Sequence, residues 1–219
     1  MAGREVQSCG FGPWTRPVSR RELGELIKPE LICDDGGLVE VMDVVDVTFE
    51  HHWPHGHQHE NHLNAMTVPW VRRTRLGYDE LLAAVEPEAP TLWPNGHSSK
   101  GGENNRVPWE EAQLLDHSLR LIHVPAFTLH AAVDETPPQD KAFRPKWRWR
   151  VRVEFAYQDV PYLFWVTDPY VEKLAEKRGE GSHAFEEAIF CVSLGEPYDG
   201  YCYKLAATII TPKRAQARR

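Results

Sequence analysis

The sequence predicts a mainly β protein with short helices, arranged as two small five-stranded barrels. Three observations predict this. Residues 147–157 alternate strictly between apolar and charged side chains, as one long half-buried strand does. A second β-rich run, residues 160–167, begins after only two residues, which predicts a hairpin. A helix start then precedes two further β-rich runs.

The second half has the order strand, strand, strand, helix, strand, strand. The strands are predicted at residues 128–133, 147–157, 160–167, 188–194 and 202–210, and a Pro-rich polar loop, residues 134–145, separates the first two. Asp168 can cap free N–H groups and Pro169 tolerates the first helical position, so a helix begins there and ends before Gly179. This order is that of the five-stranded OB barrel, whose helix lies between strands three and four.

The hairpin has one register that places all its apolar residues on one side. If Tyr157 pairs with Val160, Phe155 faces Tyr162. The same register turns Trp147 and Trp149 into the barrel and places Arg152 opposite Trp165 on the outer side. Gln158-Asp159 is not a favoured two-residue turn, and a one-residue slip would exchange the two sides of one strand.

The first half is less regular. Residues 38–47 and 68–73 are predicted strands and residues 78–86 and 108–116 predicted short helices, which is consistent with a decorated, irregular barrel. We expect the domain boundary near His117. The predicted parts are an N-terminal OB-like domain with His-rich and Asn/Ser loops at residues 1–116, a C-terminal OB barrel at residues 117–212, and a disordered basic tail at residues 213–219.

The amino-acid composition indicates a globular protein without membrane helices. The 219 residues are 42% hydrophobic and 26% charged with a net charge of −7, which is typical of globular domains. No run reaches the ~18 apolar residues of a membrane helix, and the start lacks the apolar core of a signal peptide. The four cysteines form no CxxC pair, so we expect reduced thiols, a cytoplasmic location and no membrane partner.

Five strings stand out in order along the chain. They are Trp14-Thr-Arg-Pro-Val-Ser19, Pro54-His-Gly-His-Gln58 with Glu60-Asn61, Asn95-Gly-His-Ser-Ser99 with Asn104-Asn-Arg-Val107, Val166-Thr-Asp-Pro169, and Cys191-Val-Ser-Leu-Gly-Glu-Pro197 with Gly200-Tyr-Cys-Tyr-Lys-Leu205. Together they resemble the bacterial dual OB-containing domain family. The resemblance implies two OB-type barrels and a nucleic-acid-binding or sensing role, often in bacterial conflict and defence systems. One departure is that Met1–Ser8 is short and polar where the family has an apolar strand.

The predicted outer side of the hairpin carries Arg148, Arg150 and Arg152 beside Trp165. OB barrels bind single strands on strands two and three, where cations contact phosphates and aromatic rings stack on bases. Trp14 and Arg16 could serve the same purpose in the first half. The alternatives are an ordinary charged strand surface, with Trp165 packed under the Pro-rich loop, and tryptophans that fill the first core.

Two loops carry further candidates. His55, His57 and Glu60, in a histidine-rich stretch, could hold zinc or another divalent metal, and the alternative is a polar hydrogen-bonded loop. The second loop offers donors for an anion or a base from Asn95, His97, Ser98, Asn105 and Arg106. It could equally be an ordinary turn stabilised by Asn and Ser, and no GxSxG elbow supports catalysis by its serines.

These residues leave three hypotheses. The leading one is a protein without catalytic residues that binds single-stranded DNA or RNA. The second is a nucleotide or small-molecule sensor in which His55, His57, His97 and Arg106 line a pocket and relay its occupancy to an effector protein. The third is a metal-dependent enzyme that uses the histidine cluster.

Overall fold

The structure is a computed structural model that describes residues 1–136 and 146–217. Within these residues, side chains are described everywhere except at positions 134–136 and 146–148. It is mainly β, as predicted, and forms two compact units. The first unit contains Met1–Val85, Gln113–Leu119 and the segment from Lys213 onward. The second contains Glu86–Ala112 and the described part of Arg120–Pro212. Among the described residues, no helix is long and apolar enough to cross a membrane.

The elements follow one another along the chain with short connections. The strands are β1 (Gly3–Val6), β2 (Phe11–Val18), β3 (Asp43–Asp46), β4 (Phe49–His52), β5 (Asn61–Asn64), β6 (Val71–Arg75), β7 (Arg106–Pro108), β8 (Leu119–Val124), β9 (Phe127–Thr136), β10 (Lys146–Tyr157), β11 (Val160–Val166), β12 (Gly181–Phe185), β13 (Ala188–Tyr198) and β14 (Tyr201–Ile210). The helices are α1 (Tyr78–Leu82), α2 (Trp109–Ala112), α3 (Pro169–Arg178) and α4 (Pro212–Gln216), with a 3-10 turn at Lys28–Leu31.

The first unit is built from two small sheets. One has the order β1-β2-β5-β4, in which β2 and β5 run parallel, and the other pairs β3 with β6. Leu63 on β5 and Trp70 beside β6 are at most 2% exposed and belong to the buried core. The polar start of the chain is the edge strand β1, which pairs with β2. An edge strand can be polar because only one of its neighbours is another strand.

The second unit has the strand order of an OB fold. Its sheet runs β12-β9-β10-β11-β14-β13-β8, so the five predicted strands stand in the order 1-2-3-5-4, with α3 between the third and fourth. Strands three and five, β11 and β14, run parallel. β12 and β8 extend the two edges, and the sheet does not close into a complete barrel.

The predicted hairpin register is confirmed. Tyr157 pairs with Val160, Phe155 with Tyr162 and Arg152 with Trp165. Gln158 and Asp159 form the two-residue turn with positive φ angles of 51° and 58°, the backbone conformation that matches the twist of a tight hairpin. Phe155 and Tyr162 are at most 4% exposed, so the apolar side of the hairpin lies in the core.

One segment of the second unit comes from before the predicted boundary. Glu103 exchanges two backbone hydrogen bonds with Leu163 of β11, Lys204 of β14 donates its N–H to the carbonyl of Asn105, and β7 pairs with β14. Residues 103–108, the inserted segment, therefore lie between β11 and β14 where these strands separate. This is the physical reason that residues 86–112 group with the second unit, which differs from the predicted division at residue 117.

Three further expectations differ from the structure. Strands β1, β2, β4, β5, β7, β8 and β12 were not predicted, and β3, β6, α1 and α2 are shorter than the patterns indicate. The expected disordered tail contains α4, in which Arg214 and Ala215 are buried, while Arg218 and Arg219 lie outside the described residues. Most of the Pro-rich loop, residues 137–145, is also outside them.

Candidate nucleic-acid interface

The outer side of the β10–β11 hairpin brings Arg150, Arg152 and Trp165 together. The Arg150 guanidinium lies 5.7 Å, and that of Arg152 5.5 Å, from the centre of the Trp165 ring, within cation–π distance. We call these three residues the outer track. Arg150 is exposed and the other two are half-buried. The side chain of Arg148, the remaining predicted member, lies outside the described part of the chain.

The alternation of the two strands produces this arrangement. Val151, Val153 and Phe155 of β10 are at most 4% exposed, so the residues between them point to the other side of the sheet. Among the described residues Arg152 forms no ion pair; it donates a hydrogen bond of 3.2 Å to the carbonyl of Gly101. Its positive charge is therefore not neutralised by a carboxylate. Glu154, further along the same side, is paired with His130 at 2.7 Å.

The Asn/Ser loop, residues 95–106, borders the outer track. A Cβ atom added to Gly101 would lie 3.3 Å from the Trp165 ring, and one added to Gly102 would lie 2.7 Å from the carbonyl oxygen of Leu163. The two glycines thus let the loop backbone approach β11 closely. Exposed Lys100 directly precedes them in the chain. Trp165 is bordered by this loop, whereas most of the Pro-rich loop, its alternative cover, lies outside the described residues.

A groove of about 580 Å³ adjoins the outer track on the side of α3. Trp149, which the alternation predicts inside, is half-buried and lines this groove together with Arg150 and Trp165. Exposed Glu172 and Glu176 of α3 also line it. Exposed Lys173 lines it as well, so α3 gives this end of the site two carboxylates and one cation.

A buried lysine holds the Asn/Ser loop from the core side. Lys204 of β14 is fully buried, and its Nζ donates to the carbonyl of Pro94 at 2.9 Å and to Oδ1 of Asn95 at 2.6 Å. Asn95 in turn donates to the Tyr162 hydroxyl at 2.8 Å. Burial without a carboxylate partner lowers the pKa of Lys204 to about 7. This network was not predicted, because a lysine in a strand normally indicates an exposed position.

The five residues predicted as a ligand-binding loop therefore divide into two groups. Asn95, Ser98 and Asn105 hold the loop itself: Asn105 is fully buried and accepts from the N–H of Ser99, and the Ser98 hydroxyl accepts from the N–H of Asn104. His97 and Arg106 instead lie against Tyr201, with ring centres 6.1 Å apart for His97 and the guanidinium of Arg106 4.0 Å above the ring. These two side chains are half-buried, and His97 also lies 4.0 Å from Glu111.

The candidates in the first unit serve its own core. Arg16 forms an ion pair of 2.8 Å with Glu60, whose carboxylate is 3% exposed and also accepts from the Ser118 hydroxyl. Trp14 is half-buried on β2. A guanidinium paired inside the fold cannot also neutralise a phosphate, so the structure does not support Arg16 as a nucleic-acid contact.

The predicted metal site is not assembled. Among the described residues, no three His, Cys, Asp or Glu side chains are grouped so that they could hold a metal ion. His57 is 1% exposed whereas His55 is exposed, and Glu60 is occupied by Arg16. The histidine stretch is instead a hydrogen-bonded turn and strand pair, in which His52 contacts the carbonyl of His59 at 2.5 Å.

The four residues of the predicted sensor pocket belong to different units. His55 and His57 are part of the first unit, and His97 and Arg106 part of the second. Neither unit by itself contains the set.

Comparison with known proteins identifies a family but no individual related protein. A family model described as "Dual OB-containing domain" matches residues 1–209. No curated protein and no solved structure matches the chain.

Proposed function

The chain belongs to the dual OB-containing domain family, and on that premise we propose that it binds single-stranded nucleic acid on the outer side of the β10–β11 hairpin, with Arg150, Arg152 and Trp165 as the contacts. OB folds bind oligonucleotides on these two strands. The proposal includes a role in bacterial defence, which rests on the family resemblance alone.

The observation that carries the proposal is the position of Trp165 beside two guanidinium groups. Every base has a π-face, so an indole can stack on any base, and the adjacent cations attract the flanking phosphates. Three neighbouring side chains thus supply both interactions that a single strand requires.

The overall charge of −7 is compatible with this role. A net acidic protein repels polyanions at a distance, but the contact surface only needs a positive local field. Arg152, whose charge no carboxylate in the described chain neutralises, contributes to that field, and exposed Lys100 lies on the adjoining loop.

The test is the salt dependence of binding. Affinity for a labelled oligothymidylate of about 12 nucleotides, within the ~4–16 nucleotides that one OB fold covers, is measured between low and high salt. Replacing Arg150 and Arg152 by Gln is expected to weaken binding and to reduce the slope of log K against log[salt] by about 0.7 for each lost phosphate contact. The same series with an oligouridylate shows whether RNA or DNA is preferred.

The matched control is Lys177→Gln. Lys177 is an exposed residue of α3 outside the groove, so its replacement removes one positive charge from the same unit, as each single arginine replacement does. We expect its slope to equal that of the unchanged protein. If the arginine variants and the control have equal slopes, the outer track makes no phosphate contacts and the proposal is wrong.

A further inference from the structure

Three neighbouring strands of the second unit bring together a serine, a histidine and a glutamate outside the outer track. Oγ of Ser182, on β12, lies 2.9 Å from Nδ1 of His130 on β9. Nε2 of the same imidazole lies 2.7 Å from Oε2 of Glu154 on β10. Two hydrogen bonds therefore connect the three side chains, with the imidazole in the middle. We call these three residues the Ser182 triad.

The register of the sheet produces this arrangement. Ser182 pairs with His130 across β12 and β9, and paired residues share a side of the sheet. Glu154 pairs with Thr128, two positions before His130 on β9, so it is a diagonal neighbour of His130 on that same side. Leu129, between them in the chain, is 2% exposed. The Ser182 triad therefore lies on the outer side of the sheet.

The carboxylate determines which groups of the triad donate hydrogen bonds. An ionised carboxylate only accepts, so the imidazole donates to Glu154 from Nε2. A neutral imidazole has one N–H, so Nδ1 is left as an acceptor and the Ser182 hydroxyl donates to it. A hydroxyl that donates to a base, which a third group orients, is the arrangement that activates a serine as a nucleophile. In serine proteases the two ring nitrogens have the opposite roles.

The Ser182 hydroxyl is accessible at the edge of the sheet. Ser182 is exposed, and a Cβ atom added at Gly179 or Gly181 would meet no atom within 4 Å. β12 is an edge strand, so the N–H groups of its residues point alternately to β9 and to the free edge. One of the two adjacent N–H groups, of Ser182 or of His183, therefore faces outward. It can donate to the negative oxygen that forms when the serine attacks a carbonyl carbon.

We propose that Ser182 is a nucleophile for acyl transfer, with His130 as its general base and Glu154 as a positioning residue, and that the substrate is a small carboxylic ester. An ester is favoured over an amide because an alkoxide is a better leaving group than an amine, and this open surface encloses no substrate. The inference is separate from the proposed function, because it uses no residue of the outer track.

The reaction has two steps. In the first, the Ser182 proton moves to Nδ1 of His130 while Oγ bonds to the ester carbon; the ester C–O bond then breaks, and the leaving alkoxide takes the proton from the imidazole. In the second, water attacks the acyl-serine and gives a proton to Nδ1. The Oγ–C bond then breaks, so Ser182 regains its proton and the carboxylic acid is released.

The test is labelling of the full chain with a fluorophosphonate, which bonds to the oxygen of an activated serine with loss of fluoride. Peptide mass spectrometry locates the label, which we expect on Ser182 and not in Ser182→Ala. His130→Gln removes the base and should slow labelling by about a hundredfold or more, within the usual contribution of general-base catalysis. Hydrolysis of p-nitrophenyl acetate should be faster in the unchanged protein than in Ser182→Ala.

Glu154→Gln tests the positioning residue. Because Glu154 contacts the imidazole and not the probe, its replacement should lower the maximal labelling rate and leave the probe concentration at half-maximal rate unchanged. Thermal unfolding of each variant verifies that the chain stays folded, as expected for side chains on the outer side of the sheet.

The matched control is His123→Gln. His123 of β8 contacts Glu187 at 3.1 Å in the same unit, so this variant breaks a different imidazole–carboxylate pair, and its labelling rate should equal that of the unchanged protein. Equal rates for His130→Gln and His123→Gln, a label only on other residues, or equal ester hydrolysis by Ser182→Ala and the unchanged protein would overturn the proposal. Affinity for the oligothymidylate should be the same in Ser182→Ala, so such a failure leaves the proposed function standing.

Discussion

A charged side chain inside a protein needs hydrogen-bond partners, and the two acceptors of Lys204 are neutral groups. Its acceptors are the carbonyl of Pro94 and the side chain of Asn95, and the Tyr162 ring lies 5.5 Å away. Because neither acceptor is a carboxylate, the buried ammonium form is costly. The neutral amine is therefore favoured more strongly in the folded chain than in water.

The first prediction follows from this shift. The pKa of Lys204 is about 7 in the folded chain, against a reference value of 10.5, so between these pH values the unfolded chain binds one proton more than the folded chain. The free energy of unfolding should therefore rise with pH across this window, by at most about 1.4 kcal/mol per pH unit. The part of the free energy of unfolding that depends on a neutral Lys204 is fully present above pH 10.5 and is lost as the pH falls to about 7.

Urea unfolding of the protein and of Lys204→Met at a series of pH values measures this contribution. The difference between the two curves should carry the slope, because the other titrating groups are common to both. Lys177→Met, which removes an exposed lysine, serves as the control and should follow the unchanged protein. Parallel curves for Lys204→Met and the unchanged protein would show that the lysine is not desolvated.

At the scale of elements, the inserted segment depends on one close approach. A Cβ atom at Gly102 would overlap the side-chain amide of buried Asn105 and lie 2.7 Å from the Leu163 carbonyl oxygen, a backbone atom that cannot move without the strand. Gly102→Ala is expected to lower the free energy of unfolding by about 2 kcal/mol, in the range of overpacked sites. Denaturant titration measures the loss.

Gly101→Ala provides the comparison for this prediction. A Cβ atom there would meet the edge of the Trp165 ring at 3.3 Å, a contact that a small shift of the side chain relieves. Its cost should be below about 1 kcal/mol. Equal losses for the two variants would mean that the backbone contact with β11 does not restrain the loop.

The same two elements show what can be predicted from the sequence. The hairpin was predictable in register because apolar and charged residues alternate along β10, β11 is apolar, and only two residues join the strands. The inserted segment was not, because its pairing partners are far away in the chain and a three-residue strand such as β7 carries no periodicity. The outer track was predicted from the hairpin, whereas the roles of Gly101 and Lys204 depend on contacts between distant segments.

At the scale of the whole molecule, the division of the chain predicts which fragments can fold. A fragment of residues 117–219 lacks the inserted segment, so Leu163 and Lys204 lose backbone partners and the Lys204 amine loses both acceptors. The edges of β11 and β14 that the inserted segment covers would then be exposed. Exposed strand edges promote association between molecules.

We expect residues 117–219 to aggregate or to unfold without a cooperative transition, and residues 86–212, which contain the second unit, to unfold cooperatively. Size-exclusion chromatography and thermal unfolding of the two fragments distinguish them. A monomeric, cooperatively unfolding 117–219 fragment would show that the inserted segment is dispensable for this sheet.

The bond between Lys204 and Pro94 also has a consequence for synthesis, since 110 residues separate its two partners. At about 5–20 residues per second, a ribosome needs roughly 5–20 s to add that stretch. During this interval the newly made Asn/Ser loop lacks β14, the strand that anchors it. The nascent chain can therefore anchor this loop only after β14 has been synthesised.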